Sequence, residues 1–249
     1  MDRDGSQHGF LSTRWSLVTR AGSSSGDARA ALETLCGTYW YPLYAFARRR
    51  GLDHHAAQDG VQGFFARLIE KEDLRSADRS RGRFRSFLLA GLSNFLANLH
   101  DRETAEKRGG SLTRISIDEA VAARRFADGL AIDGSPEACF DREWAREVLA
   151  RALAALDSEW DRAGKRELLF RLKPFLTAEA SAAVQASIAA DLAKSENAIR
   201  IALHRLRKRF GELLRLEVAE TVAEPSEVEA ELEDLLLALR GPLARTRLG

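Results

Sequence analysis

Cysteine, proline and methionine are all scarce in this sequence. Its 249 residues include two cysteines, five prolines and one methionine. Cys36 and Cys139 are far apart, which favours inert thiols in a reducing compartment over a disulfide framework. The first residues lack the apolar segment of a secretory signal, and no apolar run approaches the roughly 20 residues that cross a bilayer. We therefore expect a cytoplasmic protein without a membrane partner.

Motifs that indicate catalysis are also missing. The sequence contains neither a GxxxxGKS/T phosphate-binding loop nor an HExxH zinc motif. His54 and His55 are adjacent, so on a helix they would point about 100° apart and could not readily share a metal ion. We therefore expect a protein that is not an enzyme, with no catalytic residues, metal, cofactor or small-molecule substrate.

Helix-forming residues, by contrast, are abundant. Alanine, leucine, arginine and glutamate fill long stretches, and alternating β-branched residues are nearly absent, so the composition predicts an all-α fold. Helices are expected from Asp27 to Gly51 with a kink at Pro42, from His54 to Glu70, and from Arg83 to Lys107. Glycine and proline interrupt the helical periodicity between Arg108 and Pro136, as is typical of a linker. The pattern therefore predicts two small helical domains joined by a linker.

Apolar spacing assigns faces to two of these helices. In the second helix, one face is expected to hold Ala57, Val61, Phe64, Phe65 and Leu68, and the opposite face Asp59, Gln62, Gly63 and Ala66. In the third, the buried stripe is expected to be Phe84, Leu88, Phe95 and Leu99.

The strongest local pattern is a helix-turn-helix in the second domain. A short helix is predicted from Ser187 to Leu192, then a turn at Ala193 and Lys194, then a helix capped by Ser195. On that helix Ile199, Leu203, Leu206 and Phe210 form an apolar stripe, so the opposite face would be free to enter a DNA major groove. The side chains predicted to contact DNA are Ser195, Asn197, Arg200, Ile201, His204, Arg205 and Lys208. An ordinary amphipathic surface helix has the same spacing, and this alternative stays open.

Charge is distributed in blocks although the net charge is only +1. Seven basic and three acidic residues lie between Arg79 and Arg108, and seven basic and two acidic between Lys194 and Arg215. Eight acids and no base then lie between Glu217 and Asp234. This acidic segment is either a solvated terminal helix or a cover that folds onto a basic DNA-binding surface.

Several segments together resemble sigma-70 family factors of the extracytoplasmic-function type. Residues 14–18 (RWSLV) and 39–44 (YWYPLY) are similar to the opening of one subgroup, and residues 81–88 (RGRFRSFL) to the start of the promoter-melting helix. Residues 57–68 are similar to the family helix AEDLxQExFxRL, and residues 192–210 to the recognition unit LGxSExAVxxxxHRLRxR. The likeness covers roughly residues 13–235.

The resemblance implies a role for each segment. Residues 10–107 would bind core RNA polymerase and recognise and melt the −10 element, 108–137 would be the linker, 138–221 would read the −35 element, and 222–249 would form an acidic tail. Contacts to the clamp helices of the largest polymerase subunit would come from Asp59, Gln62, Ala66 and Arg67. Contacts to −10 DNA would come from Arg81, Arg83, Arg85, Asn94, Asn98 and Arg102. The implied partners are core polymerase, promoter DNA and an anti-sigma regulator.

The sequence departs from the family pattern at four positions. Gln58 and Gly63 replace acids, Gly60 replaces a long apolar residue, and Ala193 replaces the turn glycine. The first three motivate one alternative, a degenerate sigma paralogue that acts as a binding protein. A stand-alone helix-turn-helix regulator is the other alternative, although such proteins usually dimerise and no dimerisation helix is evident.

Overall fold

The computed structural model describes residues 26–70, 83–103, 122–123, 125–126, 134–222 and 224–240. Over these ranges the chain forms eight α-helices of different lengths and no strand, which confirms the all-α prediction. The helices are α1 (Gly26–Arg49), α2 (His54–Glu70), α3 (Phe84–Glu103), α4 (Pro136–Arg162), α5 (Arg166–Leu172), α6 (Ala182–Asp191), α7 (Glu196–Ala219) and α8 (Val228–Arg240). Two 3₁₀ turns lie at Lys173–Phe175 and Pro225–Glu227. None of the helices in these ranges is both long enough and apolar enough to cross a membrane.

The chain divides into two compact units. The first comprises the residues up to Ala145 together with those from Ala219 onward, and the second is Arg146–Val218. This division differs from the predicted segments, because α8 belongs to the first unit and does not form a separate tail.

Local signals set the ends of α1 and α2. Gly51 has a φ of +95°, a conformation that glycine adopts without strain, and the Leu52 amide donates to the Ala47 carbonyl at 3.3 Å. The Asp53 carboxylate then caps α2 by accepting from the Ala56 amide at 2.8 Å. The predicted bounds of α2 and the glycine cap of α1 are therefore confirmed, and α1 runs through Pro42 as one helix.

Helix α2 packs against α1 and α3, which also contact each other. The predicted apolar face, Ala57 through Leu68, is buried as expected. On the predicted opposite face, however, only Asp59 is exposed, while Gln62 and Gly63 are buried and Ala66 is half-buried. The polar face of this helix is therefore narrower than its apolar spacing predicts.

The buried stripe of α3 differs from the predicted one. Phe84 and Leu88 are buried as expected, but the next buried positions are Leu92 and Leu96, and Phe95 and Leu99 are only half-buried. The stripe follows an i, i+4 row because α3 approaches α2 closely at Gly60. A Cβ on Gly60 would lie 2.7 Å from Leu96 Cδ2.

The second unit has its own apolar core, to which α4, α5, α6 and α7 all contribute. On α7 the predicted stripe is confirmed at Ile199, Leu203 and Leu206, and Phe210 packs against it from a half-buried position. The predicted start of α6 at Ser187 is wrong. The helix begins at Ala182 because the Ser181 hydroxyl accepts from the Val184 amide at 3.3 Å and so provides an earlier N-cap.

Candidate nucleic-acid interface

A four-residue turn joins α6 to α7. The Ala193 amide donates to the Ala190 carbonyl at 3.2 Å and the Lys194 amide to the Ala189 carbonyl at 2.9 Å, which is the hydrogen-bond pattern of a Schellman motif. Ala193 occupies the position that glycine usually fills, with a φ of +49°. The Ser195 hydroxyl accepts from the Ala198 amide at 3.2 Å, so the predicted N-cap of α7 is confirmed. The departure at Ala193 is therefore accommodated as backbone strain and leaves the turn intact.

The outward face of α7 carries the side chains that the sequence singled out for DNA. Each of them is exposed, and Ile201 retains 43% of its side-chain surface. Among the residues that the structure describes, none forms an ion pair or hydrogen bond with the cationic groups of Arg200, Arg205 and Lys208. The full set of exposed side chains predicted to contact DNA is Ser195, Asn197, Arg200, Ile201, His204, Arg205 and Lys208. Helical spacing thus brings the predicted set together on one basic surface, which we call the α7 face.

Two other arginines of the same basic block have structural partners. Arg207 donates from Nε to the Phe175 carbonyl at 3.0 Å and from Nη2 to the Ala178 carbonyl at 2.7 Å. Arg209 pairs with Glu159 at 2.6 Å and with Glu212 at 2.8 Å. The hydrogen bond from Arg209 lowers the pKa of the Glu159 carboxyl below its ordinary value. Only part of the basic block is therefore available to a ligand.

A second candidate surface surrounds a cavity of about 270 Å³ between α2 and α3. Three phenyl rings contribute to its wall, and two of them, Phe64 and Phe95, have centroids 6.1 Å apart. The cavity brings Arg67, predicted to contact polymerase, together with Asn94 and Asn98, predicted to contact DNA. Its lining residues are Phe64, Arg67, Leu68, Phe87, Gly91, Asn94, Phe95 and Asn98. Aromatic rings with adjacent amides suit a base that has left its stack, because the rings stack on the base and the amides can bond its edge.

The arginines at the start of α3 are placed differently from their predicted role. The Arg85 side chain is only 8% exposed, and its guanidinium lies 4.4 Å from the Trp144 ring centroid. It pairs with Glu231 at 2.9 Å and also with Asp141 and Asp234. The expectation that Arg85 faces DNA is therefore corrected, because this residue lies in the core of the first unit.

Arg83 lies at the rim of the same cluster. Its Nε atom is 2.8 Å from Glu231 Oε2, its Nη1 atom pairs with Asp234, and 30% of its side chain is exposed. Arg83 thus keeps partial access to solvent, but acidic side chains already hold it. Arg81 and the side chain of Arg102 lie outside what the structure describes.

The predicted polymerase contacts on α2 are not equally accessible. Asp59 is exposed, Ala66 and Arg67 are half-buried, and Gln62 is 7% exposed. Gln58 and Gly63 are buried as well, so an acid at either position would not add charge to an exposed surface. These two departures from the family pattern therefore lie in the packed part of the helix.

Comparison with protein-family models, with curated proteins and with solved structures finds no match.

Sequence reasoning missed the acidic partners of the α3 arginines. Glu231 and Asp234 come from the acidic block between Glu217 and Asp234. The charge of this block indicated that it could fold onto a basic surface, but it did not indicate which basic residues it would contact. Asp141 and Trp144 gave no such signal, since both lie in an ordinary amphipathic helix. Burial in the cluster raises the pKa of the Asp141 and Glu231 carboxyls above their ordinary values, despite the opposing effect of Arg85.

Proposed function

We propose that this protein is a sigma factor of the extracytoplasmic-function type, which binds core RNA polymerase in the cytoplasm and directs initiation at specific promoters. The proposal combines the sequence resemblance with two surfaces of suitable chemistry. The α7 face would read the −35 element, and the cavity between α2 and α3 would receive a base of the −10 element. No catalytic step is assigned to the chain.

The observation that carries the proposal is the α7 face. A recognition helix needs an inner stripe that anchors it and an outer face with hydrogen-bond donors that reach base edges and phosphates. Helix α7 has a buried stripe in the core of the second unit and exposed Arg200, Arg205 and Lys208 on the other side. The capped turn after α6 fixes the direction from which this helix starts.

The cavity between α2 and α3 favours a sigma factor over a stand-alone regulator. A regulator that binds only duplex DNA has no need of a base-sized site on another domain. A promoter-melting protein needs one, because an unstacked base must be held while the strands are apart. Asn94 and Asn98, exposed at the cavity wall, would bond the edge of that base.

The alternative of a degenerate paralogue loses part of its motivation. It was based on Gln58, Gly60 and Gly63, which depart from the family pattern. The first and last are buried, and a Cβ on Gly60 would lie 2.7 Å from Leu96 Cδ2, so a side chain there would displace that methyl group. Packing within the first unit accounts for these residues without invoking a loss of polymerase binding.

Two experiments test the proposal. The first is titration of the purified chain with core RNA polymerase followed by gel filtration, where we expect a one-to-one complex. The second compares Arg200→Ala with Arg166→Ala, a control on the same unit whose side chain is 86% exposed. If Arg200 makes a bidentate base contact, its loss should weaken promoter binding by about 1–3 kcal/mol and relax specificity at one base pair.

The outcomes separate the candidate functions. Affinity should fall steeply with salt, since phosphate contacts release counterions. A uniform loss in Arg200→Ala over all DNA sequences would reassign this residue to phosphate. Duplex binding without any polymerase complex would favour a stand-alone regulator, and the absence of both would refute the proposal.

A further inference from the structure

The carboxylates of α8 occupy the guanidinium groups at the start of α3. Glu231 forms an ion pair with Arg83 Nε at 2.8 Å and accepts hydrogen bonds from Arg85 Nε and Nη2 at 2.9 and 3.2 Å. Asp234 accepts from Arg85 Nη2 at 3.2 Å and also holds Arg83 Nη1. We call these contacts the α8 clasp.

The clasp has an inner and an outer layer. The inner pair, Arg85 and Glu231, is buried, with side chains 8% and 0% exposed. The outer pair, Arg83 and Asp234, is partly open to solvent, with side chains 30% and 38% exposed. Because a buried ion pair is costly to break and an exposed one is not, the outer pair is the one that a competing ligand can exchange.

Anionic ligands have a route to the outer pair. A cavity of about 630 Å³ adjoins the clasp and is lined by Arg83, Arg85, Asp234 and Leu237, among others. A phosphate entering this cavity would meet the guanidinium groups without first unfolding the unit. Carboxylate and phosphate are interchangeable partners for arginine, since each offers two oxygens to the planar guanidinium fork.

Helix α8 is held by a narrow apolar row. Leu232 and Leu235 are buried, whereas Leu236 and Leu237 keep 47% and 49% of their surfaces exposed. Of the four acidic side chains of α8, Glu229 and Glu233 are exposed, whereas Glu231 is buried and Asp234 is half-buried. The two acids that are not exposed are the ones that form the clasp.

We propose that α8 is an intramolecular competitor of DNA, whose Asp234 carboxylate takes the place of a backbone phosphate of the single-stranded −10 region at Arg83. The inference rests on the proposed function, because Arg83 is a −10 contact only through the resemblance to sigma factors on which that function also depends. In the closed state the outer clasp blocks the Arg83 contact. A phosphate that displaces the Asp234 carboxylate binds the Arg83 guanidinium in its place, and α8 loses its ion pair between Asp234 and Arg83.

The test compares Asp234→Asn with Glu233→Gln in the full chain. Both variants remove one negative charge from α8, but Glu233 is exposed and takes no part in the clasp. Binding is measured by fluorescence anisotropy with labelled single-stranded oligo-dT at low salt. We expect Asp234→Asn to bind roughly fivefold to tenfold more tightly than Glu233→Gln, since one charge-assisted contact is released for phosphate.

Two further measurements sharpen the test. The double variant Arg83→Gln with Asp234→Asn should lose the gain, because the released guanidinium is then absent. Hydrogen exchange of wild-type α8 amides should become faster when oligo-dT is added. Equal affinity of Asp234→Asn and Glu233→Gln, or α8 protection that DNA leaves unchanged, would overturn the clasp as a competitor.

Failure of the inference differs from failure of the proposed function. If duplex promoter binding through Arg200 persists while the two α8 variants bind oligo-dT equally, only the clasp proposal fails. If none of the variants binds any DNA and the chain does not bind core polymerase, both proposals fail.

Discussion

Gly60 allows a direct test of how α2 and α3 pack. The sigma-factor pattern that residues 57–68 resemble has a long apolar residue at this position, so Gly60→Leu would introduce the side chain of that pattern. In the structure, however, even a Cβ at this position would lie 2.7 Å from Leu96 Cδ2. Leu96 is only 9% exposed, and its side chain would have to shift within a packed interface. We therefore expect the apparently conservative substitution to destabilise the first unit.

The magnitude follows from two opposing effects. Overpacking a well-packed core typically costs about 1–3 kcal/mol, whereas replacing glycine within a helix gains roughly 0.5–1 kcal/mol. The free energy of unfolding should therefore fall by roughly 0–2.5 kcal/mol, with a central value of about 1 kcal/mol. For a chain of this size a loss of about 1 kcal/mol corresponds to a melting temperature lower by roughly 2–4 °C.

The assay is urea denaturation followed by far-ultraviolet circular dichroism, with Gly37→Ala as the matched control. Gly37 also lies within a helix, but it is exposed and a Cβ there meets nothing within 4 Å. The control should therefore gain about 0.5–1 kcal/mol. If Gly60→Leu were as stable as the wild type, the close approach of α3 to α2 would be refuted as the reason for this glycine.

Two more substitutions probe backbone strain and buried charge. Ala193→Gly should raise the free energy of unfolding by about 0.5–1 kcal/mol, because glycine adopts the positive φ without strain. The control is Ala190→Gly, at an exposed position within α6. In the same denaturation assay this control should lower the free energy of unfolding by a similar amount. Burial raises the pKa of the Glu231 carboxyl, so the folded state binds this proton more tightly than the unfolded state does, and lowering the pH favours folding. The melting temperature of the wild type relative to Glu231→Gln should therefore rise between about pH 7 and about pH 5, and a difference that shrinks on acidification would contradict this sign. The charged groups that act on Glu231 are Arg83, Arg85 and Asp234.

Most of the helices could be predicted because their signals are local. The bounds of α2 follow from its apolar spacing, and the end of α1 follows from Gly51. The start of α6 was misplaced because the effective cap is Ser181, which lies earlier in the chain than the predicted start at Ser187. The longer helix packs Ile188 and Ala189 into the second core.

Surface exposure was predicted well where one helix face packs and the other does not. On α7, a rotation of about 100° per residue separates Ile199 and Leu203 from Arg200 and His204, and the structure has the same division. The same rule failed on α2, where Gln62 and Gly63 are buried although they lie opposite the apolar face. Periodicity identifies the face that a helix buries most, but it does not show whether side chains outside that face are also buried.

The pairing of Arg85 with Glu231 could not be derived from periodicity at all. The two residues are 146 positions apart in the chain, and their contact depends on where α8 returns to the first unit. The charge blocks predicted that an acidic segment could meet a basic one, but they treated all arginines of the block alike. Burial separates them: Arg85 lies under Trp144 and becomes part of the core, whereas Arg83 stays at the rim. Arg83 and Arg85 are two positions apart in the chain and can nevertheless have different roles. A guanidinium can exchange a carboxylate for a phosphate only if it keeps access to solvent, and only Arg83 does so.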